Sequence, residues 1–102
     1  MMVYEAGSSF GQSSARIAMT AAVGRAKEHG ICMLGLRNAN HIGRVGTYGE
    51  IATREGLASI HFVNVYHKLQ APDGGTDQRF GTNPVCLAVP GTASNPGLML
   101  DM

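Results

Sequence analysis

The sequence has little net charge and few cysteines. Eight lysine and arginine residues nearly balance seven acidic residues, so the formal net charge is only +1. Such a chain has no broad basic field that would attract nucleic acid or an anionic membrane. Cys32 and Cys86 each lie within an apolar run, which suits reduced, buried thiols better than a disulfide framework. We therefore expect a cytoplasmic protein that binds neither nucleic acid nor membranes.

Long apolar segments and internal repeats are also absent. The longest uncharged apolar run is far shorter than the roughly 20 residues that cross a bilayer, and no signal-peptide pattern opens the chain. With 102 residues and 44% hydrophobic content, the chain can form one domain at most, with a small core.

Three common signatures of chemistry are missing as well. The sequence contains no G-x-G-x-x-G dinucleotide fingerprint, and no serine lies in a nucleophile-elbow pattern. The spacings of its histidines and cysteines match no standard zinc site, so we predict no bound metal.

The chain does contain alternating helical and strand patterns. Apolar residues at helical spacing predict a first helix from about Gln12 to His29, which Gly30 ends. The apolar run from Ile31 to Leu36 predicts an interior strand that is covered on both faces. We expect residues 1–10 to be loose and residues 11–102 to form part of an α/β domain.

The pattern continues with a second helix from about Gly43 to Glu55 and a strand from Leu57 to Val65. Such a strand–helix–strand unit usually joins parallel neighbours, which favours an α/β fold. A turn-rich loop follows from Tyr66 to Gln78, and another strand spans Val85 to Val89. A last strand begins at Leu98 and is cut off almost at once, so we expect an incomplete domain of a longer protein.

Several short motifs are distributed along the chain, and they are Gly11-Gln12, Arg25–Ile31, Arg37–Gly46, Gly81–Pro84 and Leu100–Met102. Together they resemble the malate/L-lactate dehydrogenase family, which also includes diketogulonate reductases and ureidoglycolate dehydrogenases. The resemblance covers nearly the whole chain from Phe10, and the Asn-His-Ile-Gly-Arg and His-Phe-Val runs are most similar to the hydroxycarboxylate dehydrogenase branch.

The resemblance implies a fold, an activity and a cofactor. The fold would be a mixed α/β sheet with packed helices, distinct from the standard Rossmann fold. The activity would be transfer of a hydride between a nicotinamide cofactor, NAD or NADP, and a 2-hydroxy or 2-oxo carboxylic acid of the malate or lactate type. The full-length protein would be a homodimer, and these residues would be an internal fragment of it, with residues 11–102 forming part of the catalytic and cofactor-binding α/β domain.

His41 is the candidate acid/base. Oxidation of a 2-hydroxy acid needs a base that accepts the hydroxyl proton while the hydride leaves, and imidazole titrates near the working pH. His41 lies between a predicted strand and a predicted helix, where ligands gather in α/β folds, and the resemblance implies the same role. The alternative is a loop histidine that caps the helix or bonds the backbone.

The residues after His41 are candidates for substrate and cofactor contacts. A cation at Arg44 opposes the dipole of the first helical turn, which a substrate carboxylate would compensate. An ion pair with Glu50 or a solvated side chain is the alternative. Gly43, Gly46 and Gly49 recur at a spacing of three, which suits either the approach of a ligand or close helix-to-strand packing.

The resemblance implies further contacts. Cofactor contacts are implied for Val45, Gly46, Thr47, Asp101 and Met102. Asn83, in a turn that interrupts a strand, and Asn64, at the end of its strand, are candidate substrate ligands, with an ordinary bulge as the alternative for the turn. Two functional alternatives also stay open: a nucleotide-binding module without turnover, and a structural remnant that is inactive without its missing segments.

Overall fold

The computed structural model describes residues 1–102 and contains two helices and five strands. The elements are β1 (Met2–Glu5), α1 (Gly11–His29), β2 (Leu34–Arg37), α2 (Gly46–Arg54), β3 (Ser59–Phe62), β4 (Val85–Val89) and β5 (Leu98–Asp101). β1 and β2 form a parallel pair, whereas β3, β4 and β5 form an antiparallel sheet in that order. The predicted α/β class with mixed strand directions is confirmed.

The N-terminal segment is more ordered than the sequence predicted. Residues 1–10 were expected to be loose, but Met2–Glu5 pairs with Leu34–Arg37 along its whole length. The prediction was wrong here because a strand of four residues carries little periodicity, and its partner lies about 30 residues away in sequence.

Helix α1 agrees with its prediction to within one residue. Gly30 adopts the left-handed conformation at φ 83° and its N–H donates to the carbonyl of Ala26, which ends the helix. The face that carries Ala15, Met19 and Val23 packs against Tyr48 and Ala52 of α2, and these five side chains form the main apolar cluster.

Strand β2 differs from its prediction in both length and environment. It begins at Leu34, and the preceding Ile31 and Met33 are 80% and 68% exposed. Its burial alternates because β1 is its only strand neighbour and α1 covers one face. The expected parallel crossover is also wrong, because β3 belongs to the other sheet and pairs antiparallel with β4.

Helix α2 links the two halves of the molecule and begins later than predicted. Gly43 has φ 72° and lies in the preceding loop, so the helix starts at Gly46. At Gly49 the helix meets the antiparallel sheet so closely that an added Cβ would lie 2.8 Å from the Cβ of Ala88. Close packing is therefore the role of Gly49.

The two cysteines and His61 differ in how far they are buried. Both thiols are free, and Cys86 is fully buried while Cys32 is half-buried. Burial raises the pKa of the Cys86 thiol. His61 lies within the sheet, where its Nε2 is 2.9 Å from the hydroxyl of Ser59.

The burial of His61 makes stability depend on pH. Burial lowers the pKa of His61 below its ordinary 6.5, and the nearby Asp101 carboxylate offsets part of this effect. Because the unfolded chain then binds a proton before the folded chain does, we expect stability to fall as pH drops below about 6.5. Urea midpoints at pH 7.5 and 5.5 measure this loss, which should shrink in His61→Gln. The variant His29→Gln, at an exposed helix end, should keep it; an equal loss in both variants would contradict the assignment.

Candidate functional site

His41 lies exposed on the loop between β2 and α2. Its Nδ1 accepts a hydrogen bond from the backbone N–H of Gly43 at 3.1 Å, and the left-handed conformation of Gly43 makes this tight turn possible. The ring thus makes the backbone bond that the sequence left open as an alternative. Nε2 forms no hydrogen bond within the chain, so it is free to bind a ligand.

The loop that carries His41 is held by the segment before α1. The Asn40 amide nitrogen donates to the carbonyls of Ser8 at 2.6 Å and Ser9 at 3.2 Å. Gly11 lies so close that an added Cβ would be 2.0 Å from the carbonyl oxygen of Asn40 and 2.5 Å from that of His41. Gly11 and Asn40 belong to the motifs that carry the resemblance. Their part in holding the loop was not predicted, because it depends on contacts between segments that are distant in sequence.

The start of α2 brings together two predicted cofactor positions that are distant in sequence. The N–H of Gly46 donates to Oδ2 of Asp101 at 2.9 Å. A carboxylate at this end satisfies a backbone donor that the helix leaves free and interacts favourably with the helix dipole. Gly46 is needed for this contact, because an added Cβ would lie 2.6 Å from the same oxygen.

Arg44 is compensated by carboxylates of the chain itself. Its Nη1 lies 2.5 Å from Oε1 of Glu50 and its Nε lies 3.4 Å from Oδ2 of Asp101. The hydrogen bond from Arg44 lowers the pKa of Glu50. The ion pair that the sequence left as the alternative is therefore present. The side chain of Arg44 is half-exposed, and its Nη2 makes no hydrogen bond within the chain.

The other predicted cofactor positions differ in what they expose. Thr47 is exposed, whereas Val45 is only 4% exposed and offers little beyond its backbone. Met102 is 70% exposed, and its backbone pairs with that of Val85.

Asn64 and Asn83 meet at the end of the antiparallel sheet. They line an open depression of about 390 Å³ together with Phe62, Val63, Pro84 and Val85. Asn83 has φ 42°, and its Oδ1 accepts the N–H of Val65 at 2.8 Å, so the segment is a turn that closes on the neighbouring strand end. The exposed Asn64 has no hydrogen bond from its side chain.

The predicted site residues therefore form three groups. The groups are His41 on its loop, Arg44 and Gly46 with Asp101 at the start of α2, and Asn64 with Asn83 at the depression. Backbone bonds between Val85 and Met102 connect the last two, and no hydrogen bond or ion pair joins His41 to either. No cluster of three metal-ligating side chains occurs.

Neither helix combines the length and the apolar composition that crossing a bilayer requires.

Comparison with known proteins decides the relationship. The sequence profile of malate/L-lactate dehydrogenase matches residues 1–102, the entire chain. The chain belongs to the malate/L-lactate dehydrogenase family. The resemblance found in the sequence motifs is thereby confirmed.

Relatives of known name support this membership. The chain is 38% identical to L-lactate dehydrogenase of Cupriavidus necator over 104 residues, which are 100% of this chain and 30% of that protein. It is 44% identical to hydroxycarboxylate dehydrogenase B of Escherichia coli K12 over 93 residues, which are 90% of this chain and 26% of that protein. The chain thus spans less than a third of the length of these family members.

Solved structures show the same fold. The malate dehydrogenase of Pyrococcus horikoshii superposes with a TM-score of 0.85 at 36% identity, over 96% of this chain and 27% of that one. The sulfolactate dehydrogenase of Methanocaldococcus jannaschii gives a TM-score of 0.85 at 34% identity, over 98% of this chain and 28% of that one. The fold of this chain is therefore one that these family members share.

Proposed function

We propose that the native protein transfers a hydride between a nicotinamide cofactor, NAD or NADP, and a 2-hydroxy or 2-oxo carboxylic acid. The observation that carries this proposal is the free Nε2 of His41, on a loop fixed by Asn40 and Gly11, in a chain whose relatives are dehydrogenases. A fixed imidazole with one free nitrogen suits proton exchange with the oxygen of the reacting carbon.

His41 is proposed as the acid/base. With Nδ1 accepting from Gly43, the neutral ring carries its proton on Nε2, which suits a hydrogen bond to the oxygen of a 2-oxo acid. Reduction transfers this proton from the imidazolium, in which Nδ1 is also protonated, and leaves a neutral ring with its proton on Nδ1. Oxidation is the reverse, because that tautomer accepts the hydroxyl proton at Nε2. In both directions the contact of Nδ1 with Gly43 must open.

Arg44, Asn64 and Asn83 are proposed as substrate ligands. The free Nη2 of Arg44 and the amide nitrogens of the two asparagines are donors, which a substrate carboxylate requires. Because Glu50 and Asp101 already neutralise Arg44, we place the carboxylate at Nη2 only, so that both existing ion pairs remain.

The residues at the start of α2 fit the hydroxyl-rich part of a nicotinamide cofactor. Oδ1 of Asp101 is free and can accept a ribose hydroxyl, and the exposed Thr47 adds a second polar group. Val45, Gly46 and Met102 would contribute backbone and apolar contacts. A diphosphate does not fit beside the Asp101 carboxylate. The cofactor, when bound, supplies or accepts the hydride.

A binding module without turnover is the second candidate. The neutralisation of Arg44 by Glu50 and Asp101 favours it, because that cation is not preorganised for a substrate carboxylate. For either candidate we also propose a cytoplasmic location, from the two free thiols, and a homodimer, from the exposed apolar side chains of β3 and β5.

Turnover by the native protein, made from its complete reading frame, tests the proposal. We expect nicotinamide absorbance to change with at least one acid in a panel of malate, lactate, sulfolactate and their 2-oxo counterparts, with NAD or with NADP. Binding of a nicotinamide nucleotide without turnover of any acid would favour the module instead. Absence of both would contradict the assignment of this site.

A further inference from the structure

We propose that Asn40 is a positioning residue that holds His41 with its proton on Nε2, where the ring can donate a hydrogen bond to the keto oxygen of a bound 2-oxo acid. The choice of ligand rests on the proposed function. The position and the tautomer of the ring rest on contacts of the chain alone.

The first step is the attachment of Asn40. Its amide nitrogen is a donor only, and both of its partners, the carbonyls of Ser8 and Ser9, are acceptors only. The N–H of Ser8 returns a hydrogen bond to the carbonyl of Asn38 at 2.7 Å. Two chain segments that are about 30 residues apart in sequence are thus joined beside His41.

The second step is the close approach of Gly11. The first residue of α1 lies directly against the backbone oxygens of Asn40 and His41, which leaves the loop no room to move toward the helix. The loop is therefore attached by Asn40 to the segment before α1 and packed by its backbone against the first residue of α1. Together these contacts fix the backbone from which the His41 ring extends.

The third step is the tautomer. The N–H of Gly43 can reach Nδ1 only if the backbone at residues 41 to 43 keeps this turn, and a nitrogen that accepts a hydrogen bond carries no proton. Nε2 therefore carries the proton of the neutral ring. Loss of the Asn40 attachment should relax the turn and free both ring nitrogens to exchange the proton.

The test is nitrogen NMR of the native protein labelled with ¹⁵N-histidine, recorded at about pH 8, with His41 assigned by its loss in His41→Gln. We expect an unprotonated Nδ1 and a protonated Nε2. In Asn40→Ala we expect signals of mixed tautomers and a kcat about 10- to 100-fold lower with little change in KM, because a displaced group mainly weakens binding of the transition state. Asn40→Asp should lower kcat further than Asn40→Ala, because its carboxylate would face two carbonyl oxygens.

The matched control is Asn95→Ala, an exposed asparagine whose side chain bonds only its neighbour Ser94. It should leave both the spectrum and kcat unchanged. A wild-type spectrum with the proton on Nδ1 overturns the proposal without any variant, even if Asn40→Ala does not fold. A wild-type tautomer and kcat in Asn40→Ala also overturn it. If the tautomer is as expected but no acid is turned over, the proposed function fails and the positioning role stands.

Discussion

Replacing His41 should reduce kcat by about 10²- to 10⁴-fold, the usual contribution of a positioned acid/base group. We expect His41→Ala and His41→Gln to lose comparable activity. Glutamine can donate a hydrogen bond from about the position of Nε2, but it cannot take up a proton. A role in proton transfer therefore predicts that glutamine restores little. Stopped-flow and steady-state measurement of nicotinamide absorbance gives kcat, and a nucleotide titration should show that cofactor affinity is retained.

The control for this prediction is His29→Gln, which changes a histidine at the exposed end of α1 and should leave kcat unchanged. A kcat for His41→Gln within about tenfold of the wild type, with a much larger loss in His41→Ala, would contradict proton transfer. His41 would then act only as a hydrogen-bond donor, and a different residue of the native protein would exchange the proton.

The elements that the sequence predicted well are those whose signals are local. The apolar period of α1 and its left-handed Gly30 lie within one continuous segment, and so does the apolar run of β4. The partner of a strand is a non-local property. For this reason the sequence predicted strand β2 but missed β1 beside it, and it placed β3 in the wrong pairing.

The candidate site divides in the same way. His41 could be predicted because its residue type and its position between two elements are both visible in the sequence. The contact between Gly46 and Asp101 joins residues 55 apart, and only the family resemblance indicated that both belong to one site. The ion pair of Arg44 with Glu50 was an alternative that the sequence offered, whereas its second carboxylate, Asp101, lies too far along the chain for dipole reasoning to find it.

The contact of α1 with the loop of His41 predicts a large effect from adding a single methyl group. In Gly11→Ala the new Cβ would lie 2.0 Å from the carbonyl oxygen of Asn40, far inside van der Waals contact. The carbonyl is part of the backbone, and the backbone also fixes the position of the Cβ, so neither atom can rotate away as the end of a long side chain would. We expect a loss of about 3 kcal/mol or more in the free energy of unfolding, above the usual cost of overpacking, and a strong loss of kcat as His41 is displaced.

Helix α1 supplies its own matched control for this prediction. An alanine Cβ at Gly24 would meet nothing within 4 Å, and the position is exposed. Gly24→Ala should therefore stabilise the protein by about 0.5–1 kcal/mol through helix propensity alone. Urea unfolding followed by circular dichroism compares the two variants. Equal stability of Gly11→Ala and the wild type would contradict the packing of α1 against the loop, and with it the fixed position of His41 from which the proposed chemistry follows.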